Sequence, residues 1–329
     1  MHLLVTGGAG FIGSNYTRWV LENSDDRVTV YDALTYAGNR STLRDVEERW
    51  GERLGFVHAD VCDAGALAAA AAGCDAVVHF AAESHVDRSI VGPDAFVRTN
   101  CVGTNTVMRV CRELGTPKVV HISTDEVYGS VGTGHSKETD ALEPRSPYSA
   151  SKAGSDLIAL SYHSTYGLPV VVTRSSNNFG PWQYPEKVIP LFTTNLLDGR
   201  TVPLYGDGLN QRDWLHVEDN CAAVDRVLRS GEPGEIYNIG AGAEITNREL
   251  TERILALCGA GPERIEMVPD RLGHDRRYAL DTAKVRALGW QPRRGFDDAL
   301  AATVEWYRDN RWWWEPLEGG SAGSVRATP

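Results

Sequence analysis

Tyr148 and Lys152 stand four residues apart in Y-S-A-S-K, at the start of a stretch with helical texture. That spacing puts both side chains on one helix face. An ammonium beside a phenol favours phenolate, which makes the phenol a base able to take a hydroxyl proton. Upstream, the apolar run KVVHIST (118 to 124) ends in Ser123-Thr124-Asp125-Glu126-Val127-Tyr128-Gly129. Neighbouring carboxyls raise each other's pKa and burial adds to the shift, so one serves as acid and the other as base near neutral pH. Each pattern alone is common, since YxxxK pairs mostly lie on surfaces and Asp-Glu pairs mostly in solvated turns. Their weight comes from a third pattern.

The run HLLVT (2 to 6) passes into Gly7-Gly8-Ala9-Gly10-Phe11-Ile12-Gly13-Ser14 and then into an amphipathic stretch. Glycines there allow a tight turn and a close approach to a pyrophosphate, while the helix N-terminus offers free N–H groups. Asp32 closes the next apolar run, at the distance where a carboxylate meets a ribose 2′-hydroxyl and repels a 2′-phosphate. The residue after it, Ala33, carries no positive charge, so the pattern predicts NAD rather than NADP. Asp60-Val61 and Phe80-Ala81-Ala82 fall at later strand ends, where open α/β sheets bind ligands.

The elements that must position these groups alternate along the first half of the chain. Strands are expected at 2–6, 27–32, 55–60, 75–82, 118–124 and 169–176, each a near-continuous apolar run, as for strands buried on both faces. Helical stretches such as 63–73 lie between them. The pattern predicts an α/β protein with a Rossmann-type doubly wound parallel sheet. Beyond about residue 177 Gly and Pro increase and the strands shorten. The expected organisation is a dinucleotide-binding domain with the catalytic residues over 1–176, a smaller C-terminal α/β substrate lobe over 177–315, and a disordered Gly/Ser-rich tail over 316–329. Trp312, Trp313 and Trp314 read as packing of the C-terminal segment.

Composition sets the outer limits. The 329 residues are 42% hydrophobic and 23% charged, and no apolar run approaches the roughly 20 residues of a membrane span. The start MHLLVTGGAG reads as a first strand rather than a signal peptide, and the expected location is the cytoplasm. Thirty-three Lys and Arg against 44 Asp and Glu give a formal net charge of −11, the wrong sign for a nucleic-acid binder. An anionic ligand therefore needs locally placed arginines. Cys62, Cys74, Cys101, Cys111, Cys221 and Cys258 form no CxxC pair, the nine histidines show no ligand spacing, and no metal is expected.

With these residues assembled, the chain resembles an extended short-chain dehydrogenase/reductase, and most closely the dTDP-glucose 4,6-dehydratase family of nucleotide-sugar enzymes. The resemblance runs over roughly residues 1 to 315. It is carried by TGGAGFIGS, LTYAGN (34 to 39), HFAAESHVDRS (79 to 89), STDEVYG, PYSASK, SSNNFGP (175 to 181), PEKVIP (185 to 190), QRDWLHVED (211 to 219), YNIG (237 to 240) and GHDRRY (273 to 278). The family has Pro where Leu272 stands and Tyr where Phe179 and Trp182 stand.

The resemblance implies a three-stage reaction on the nucleotide sugar. Tyr148 removes the C4 hydroxyl proton as the nicotinamide oxidises C4, with Thr124 on the same oxygen and Lys152 on the ribose. Glu126 then takes the C5 proton, Asp125 protonates the departing C6 hydroxyl, and the hydride returns to C6. By the same resemblance Gly7, Gly10, Phe11, Ile12, Gly13, Asp32, Leu34, Thr35, Asp60, Val61, Phe80, Ala81, Ala82, Thr99 and Asn178 meet NAD. Ser84, Asn177, Lys187, Val188, Pro203, Leu204, Tyr205, Arg212, Asn247, Arg271 and His274 meet the nucleotide sugar, with Arg212 and Arg271 suited to a diphosphate. The relatives are homodimers, and the same is expected here. A UDP-glucose 4,6-dehydratase and a UDP-sugar 4-epimerase are the rival activities. An epimerase has no use for an acid and a base at 125 and 126.

Overall fold

The computed structural model describes residues 1–318; the expected tail from 319 onward lies outside the described residues. Its strands, in chain order, are β1 (His2–Thr6), β2 (Arg27–Asp32), β3 (Leu54–His58), β4 (Ala76–His79), β5 (Val119–Thr124), β6 (Val170–Ser175), β7 (Asn177–Phe179), β8 (Val202–Tyr205), β9 (Gln211–His216), β10 (Ile236–Ile239), β11 (Glu244–Thr246) and β12 (Ile265–Val268). The helices are α1 (Phe11–Asn23), α2 (Arg44–Trp50), α3 (Ala64–Ala71), α4 (Val86–Val91), α5 (Pro93–Phe96), α6 (Thr104–Leu114), α7 (Pro147–Tyr166), α8 (Val188–Leu197), α9 (Val217–Ser230), α10 (Asn247–Cys258), α11 (Ala283–Ala287), α12 (Phe296–Asp309) and α13 (Arg311–Glu318).

A seven-stranded parallel sheet in the order β10-β6-β5-β4-β1-β2-β3 forms the centre. The order reverses beside β1, and the strand C-termini on either side of it open a crevice. One face packs on α1 and α9 through Tyr16, Val20, Val217 and Val224, the other on α3, α6 and α7 through Leu67, Val107, Met108 and Ala159. β5 and β6 are buried at every position, which is why they read as unbroken apolar runs.

The division expected at 176/177 is not a break in the sheet. β10 pairs with β6 in parallel, and α9 joins the main core, so residues 217–239 return to the first part of the molecule. A four-residue strand preceded by a helix leaves too short an apolar run to be counted as part of a distant sheet. The smaller lobe consists of the sheet β11-β9-β7 and the pair β12-β8, packed with α8, α10 and α12 around Phe179, Phe192, Trp214, Leu250 and Leu300. Residues 316–318, expected in the tail, continue α13. Trp313 and Trp314 are buried there, and Trp182 stacks edge-on against Trp306 and Trp313 at 4.8 and 5.4 Å. Trp313 Nε1 donates to Thr42 Oγ1 at 3.3 Å, so the tryptophans pin the C-terminal helix to the main domain. Among the described residues, no helix is long and apolar enough to cross a membrane.

Candidate active site

At the sheet's C-terminal edge lies a cavity of about 320 Å³. The glycine turn forms one wall. Gly7 has φ +69°, and a Cβ on it would stand 2.6 Å from the Ala81 nitrogen; a Cβ on Gly13 would stand 2.3 Å from the Gly7 oxygen. Neither position admits a side chain while β1, α1 and the β4 end keep this spacing. Gly10 leaves the α1 N-terminus without a side-chain cap, and no acidic residue sits in the first turn. The Asp32 carboxylate accepts from the Ala9 nitrogen at 2.9 Å and the Leu34 nitrogen at 2.8 Å, which holds it at the end of β2. Asn177 and Asn178 each keep a buried side-chain oxygen without a partner. A closely approachable turn, an open helix end, an anchored carboxylate and unpaired amide oxygens fit a dinucleotide such as NAD.

The catalytic candidates arrive from β5 and α7. Thr124 ends β5 and caps the 3₁₀ turn Asp125–Tyr128, accepting from the Glu126 nitrogen at 3.3 Å. α7 begins with a capping box of Ser146 and Ser149 and has Pro147 in its first turn, so the sequence itself sets where Tyr148 and Lys152 sit. Tyr148 lies edge-on to Phe96 with 6.3 Å between ring centres, and the Thr124 hydroxyl beside it donates to Asp125 Oδ1 at 3.2 Å. Lys152 Nζ donates to the Ile122 carbonyl at 2.6 Å.

Burial separates the two carboxyls. Asp125 is 3% exposed; desolvation first, then the Glu126 carboxylate, hold its pKa well above the usual range, and its Oδ2 has no partner. Glu126 is also raised by burial, but Arg271, Lys187 and Arg212 pull it back. Asp125 is therefore the group favoured to keep its proton and Glu126 the one favoured to be a base. For Tyr148 the outcome differs from the expectation that Lys152 lowers its pKa. Burial and then Glu126 push the phenol up, outweighing the effect of the nearby Thr124 hydroxyl. Lys152 itself is pulled down to about 8 by burial, with Asp156 opposing.

Of the residues expected at the cofactor, Gly7, Gly10, Phe11, Ile12, Gly13, Asp32, Thr35, Asp60, Val61, Phe80, Ala81, Ala82, Thr99, Tyr148, Lys152 and Asn178 line the cavity. Leu34 does not; with φ +50° it turns into the main core. Of those expected at the sugar, Ser84, Thr124, Asn177 and Lys187 line it, together with Asp125 and Glu126. Val188, Pro203, Leu204, Tyr205, Arg212, Asn247, Arg271 and His274 stand outside that wall. Val188 and Asn247 open α8 and α10, and Leu204 is buried. Arg212 lies over the Tyr278 ring at 4.3 Å and donates to the Asp275 carbonyl at 2.9 Å. Arg271 lies 3.8 Å from Asp87 and keeps a buried Nε without a partner. Both arginines nonetheless act on Glu126 through their charge.

Tyr36, Glu83, Gln183, Tyr184 and Glu186 line the cavity without having been singled out. Tyr36, Glu83 and Glu186 lay inside LTYAGN, HFAAESHVDRS and PEKVIP, so their segments carried the signal though the residues were not picked. Among the described residues no group of three His, Cys, Asp or Glu side chains is placed to hold a metal ion.

Residues 4–303 match the GDP-mannose 4,6 dehydratase family. The chain is 54% identical over 324 residues to dTDP-glucose 4,6-dehydratase of Streptomyces niveus, covering 97% of this chain and 96% of that one. It is 46% identical to dTDP-glucose 4,6-dehydratase 1 of Escherichia coli, covering 98% and 96%. Among solved structures it is similar to DesIV, a dTDP-glucose 4,6-dehydratase of Streptomyces venezuelae with NAD bound, at TM-score 0.94 and 56% identity over 96% of this chain and 100% of that one. The UDP-glucose 4-epimerase of Thermus thermophilus, also with NAD, shares the fold at TM-score 0.87 and 33% identity over 94% and 100%. The family match and the relatives both run along nearly the whole chain that builds this cavity, and the chain belongs to the GDP-mannose 4,6 dehydratase family.

Proposed function

We infer that the chain is a dTDP-glucose 4,6-dehydratase, which uses NAD to convert dTDP-glucose to dTDP-4-keto-6-deoxyglucose. The observation that carries this reading is that Tyr148, Asp125 and Glu126 face one cavity whose wall includes the glycine turn. NAD, held by the glycine turn and Asp32, would supply a hydride acceptor at sugar C4 and a hydride donor at C6. The chain's own residues manage the protons. Tyr148 takes the C4 hydroxyl proton as phenolate, a form that burial disfavours and that the charge of Lys152 and the positive nicotinamide of bound NAD would favour, with Thr124 bonded to the same sugar oxygen. Glu126 removes the C5 proton, made acidic by the C4 ketone, and later returns a proton to C5. Asp125 gives its proton to the departing C6 hydroxyl, which leaves as water. The proton drawn from the C4 oxygen balances the one lost with that water, so the net loss is H2O. Arg212 and Arg271, with Lys187, oppose the burial that raises the Glu126 pKa, and the two arginines supply the positive charge that an acidic protein needs to hold a diphosphate.

The same reading takes the protein as a cytoplasmic homodimer. Its six cysteines are free and scattered, which suits a reducing compartment. Val97 and Val102, in the π-helical turn packed on α7, and Leu157 on α7 itself are more than half exposed, an apolar face that a second copy would cover. Sedimentation at micromolar concentration tests that assembly.

The activity is tested by mixing protein with dTDP-glucose and reading the absorbance of a 4-keto-6-deoxy sugar in alkali. UDP-glucose in competition ranks the two bases. No signal from either sugar, with NAD still bound, would leave a binding protein and defeat the reading.

A further inference from the structure

The segment after β2 meets the segment before α8 at the cavity wall. Tyr36 OH donates to Glu186 Oε1 at 3.0 Å, joining residues 150 positions apart, and both side chains line the cavity. The contact is braced from a third direction by α4. The Arg88 guanidinium lies 3.7 Å over the Tyr36 ring, and its Nε is 3.4 Å from Glu186 Oε2. His85 Nε2 lies 3.8 Å from the same oxygen, and Tyr184 packs edge-on against Tyr36 at 5.7 Å. Tyr36 follows four residues after Asp32, the carboxylate suited to the ribose, while Glu186 precedes Lys187, whose Nζ donates to the Ser84 carbonyl at 2.7 Å. The cofactor side and the sugar side are thus tied through one charge-assisted hydrogen bond in a partly buried place, where such bonds are stronger than in water.

We propose that Tyr36 and Glu186 form a latch that retains NAD through the whole cycle. This rests on the reading that the cofactor takes hydrogen from C4 and returns it to C6. A cofactor lost between those steps would strand an oxidised, undehydrated sugar, so slow release has value here that it lacks in an enzyme exchanging cofactor every turnover. The chain spends a partly buried carboxylate on a contact that touches none of the proposed proton-transfer groups, and Glu83 and Lys187 face that carboxylate with opposite charges. Tyr36 and Glu186 are positioning residues in this account.

The test uses holoenzyme purified with its cofactor. Tyr36→Phe keeps the ring between Arg88 and Tyr184 but removes the hydroxyl, and Glu186→Leu removes the accepting oxygens. NAD released after rapid dilution is scored by an enzymatic cycling assay, independently of turnover. Either variant should release NAD about tenfold faster, and the double variant no faster than the quicker single one, because both delete the same bond. Release rates within about twofold of the parent in both variants would overturn the latch, as would fully multiplying effects in the double variant. If the parent itself forms no 4-keto-6-deoxy sugar, the functional reading fails while the release measurement still stands on its own.

Discussion

Lys152 Nζ donates to the carbonyl oxygen of Ile122 at 2.6 Å, which ties the catalytic helix to the strand that ends in Thr124. The bond fixes the distance between the phenol-bearing helix and the carboxyl-bearing turn. It also leaves a cation in a buried place, with its pKa pulled down to about 8.

The pH profile should show that cation. Lys152 faces Asp156 one helical turn on, and Asp156 is bonded to Arg174 at 2.9 Å and lies 3.3 Å from His121. In the free enzyme kcat/KM should fall above about pH 8 as Lys152 loses its proton. Asp156→Asn should move that limb to lower pH, and an unmoved limb counts against the assignment. Because the folded pKa lies below the ordinary 10.5, charged Lys152 costs stability at and below about pH 8, and that cost is relieved as pH rises from about 8 to 10.5.

Asp125→Asn with Glu126→Gln should keep NAD and sugar bound yet stop after C4 oxidation, with dehydration slowed by ~10²–10⁴-fold. Reduced nicotinamide then accumulates and is read by its near-ultraviolet absorbance. Full turnover by the double variant would contradict the roles given to the acid and the base.

Tyr148→Phe should leave the fold intact, since the ring still meets Phe96, but lower the first oxidation by ~10²–10⁴-fold. Single-turnover formation of reduced nicotinamide at the parental rate would count against the phenol as base.

Gly13→Ala should destabilise the protein by about 1–3 kcal/mol and weaken NAD binding, because its Cβ would meet the Gly7 oxygen at 2.3 Å. Thermal unfolding and cofactor titration measure the two effects separately. Parental values in both would show that the turn yields where the spacing says it does not.

Much of the site could be seen in the chain because its parts are local. A glycine turn, the i, i+4 pair Tyr148 and Lys152 and the adjacent Asp125 and Glu126 are each set by short spacing and by the element that carries them. The parallel strands were visible too, since strands buried on both faces must be apolar throughout. Sequence by itself determined those elements, the candidate groups that line the cavity and the sign of the net charge that a ligand-binding arginine must offset.

Tertiary structure alone decided the rest, because it depends on water being removed by distant segments. Burial, not the neighbouring lysine, sets the Tyr148 pKa; Arg271 and Lys187 pull down Glu126 and not Asp125, while Arg212 pulls down both; β10 completes a sheet begun at residue 2. The bond between Tyr36 and Glu186 joins two motifs 150 residues apart, and no spacing rule reaches that far along a chain.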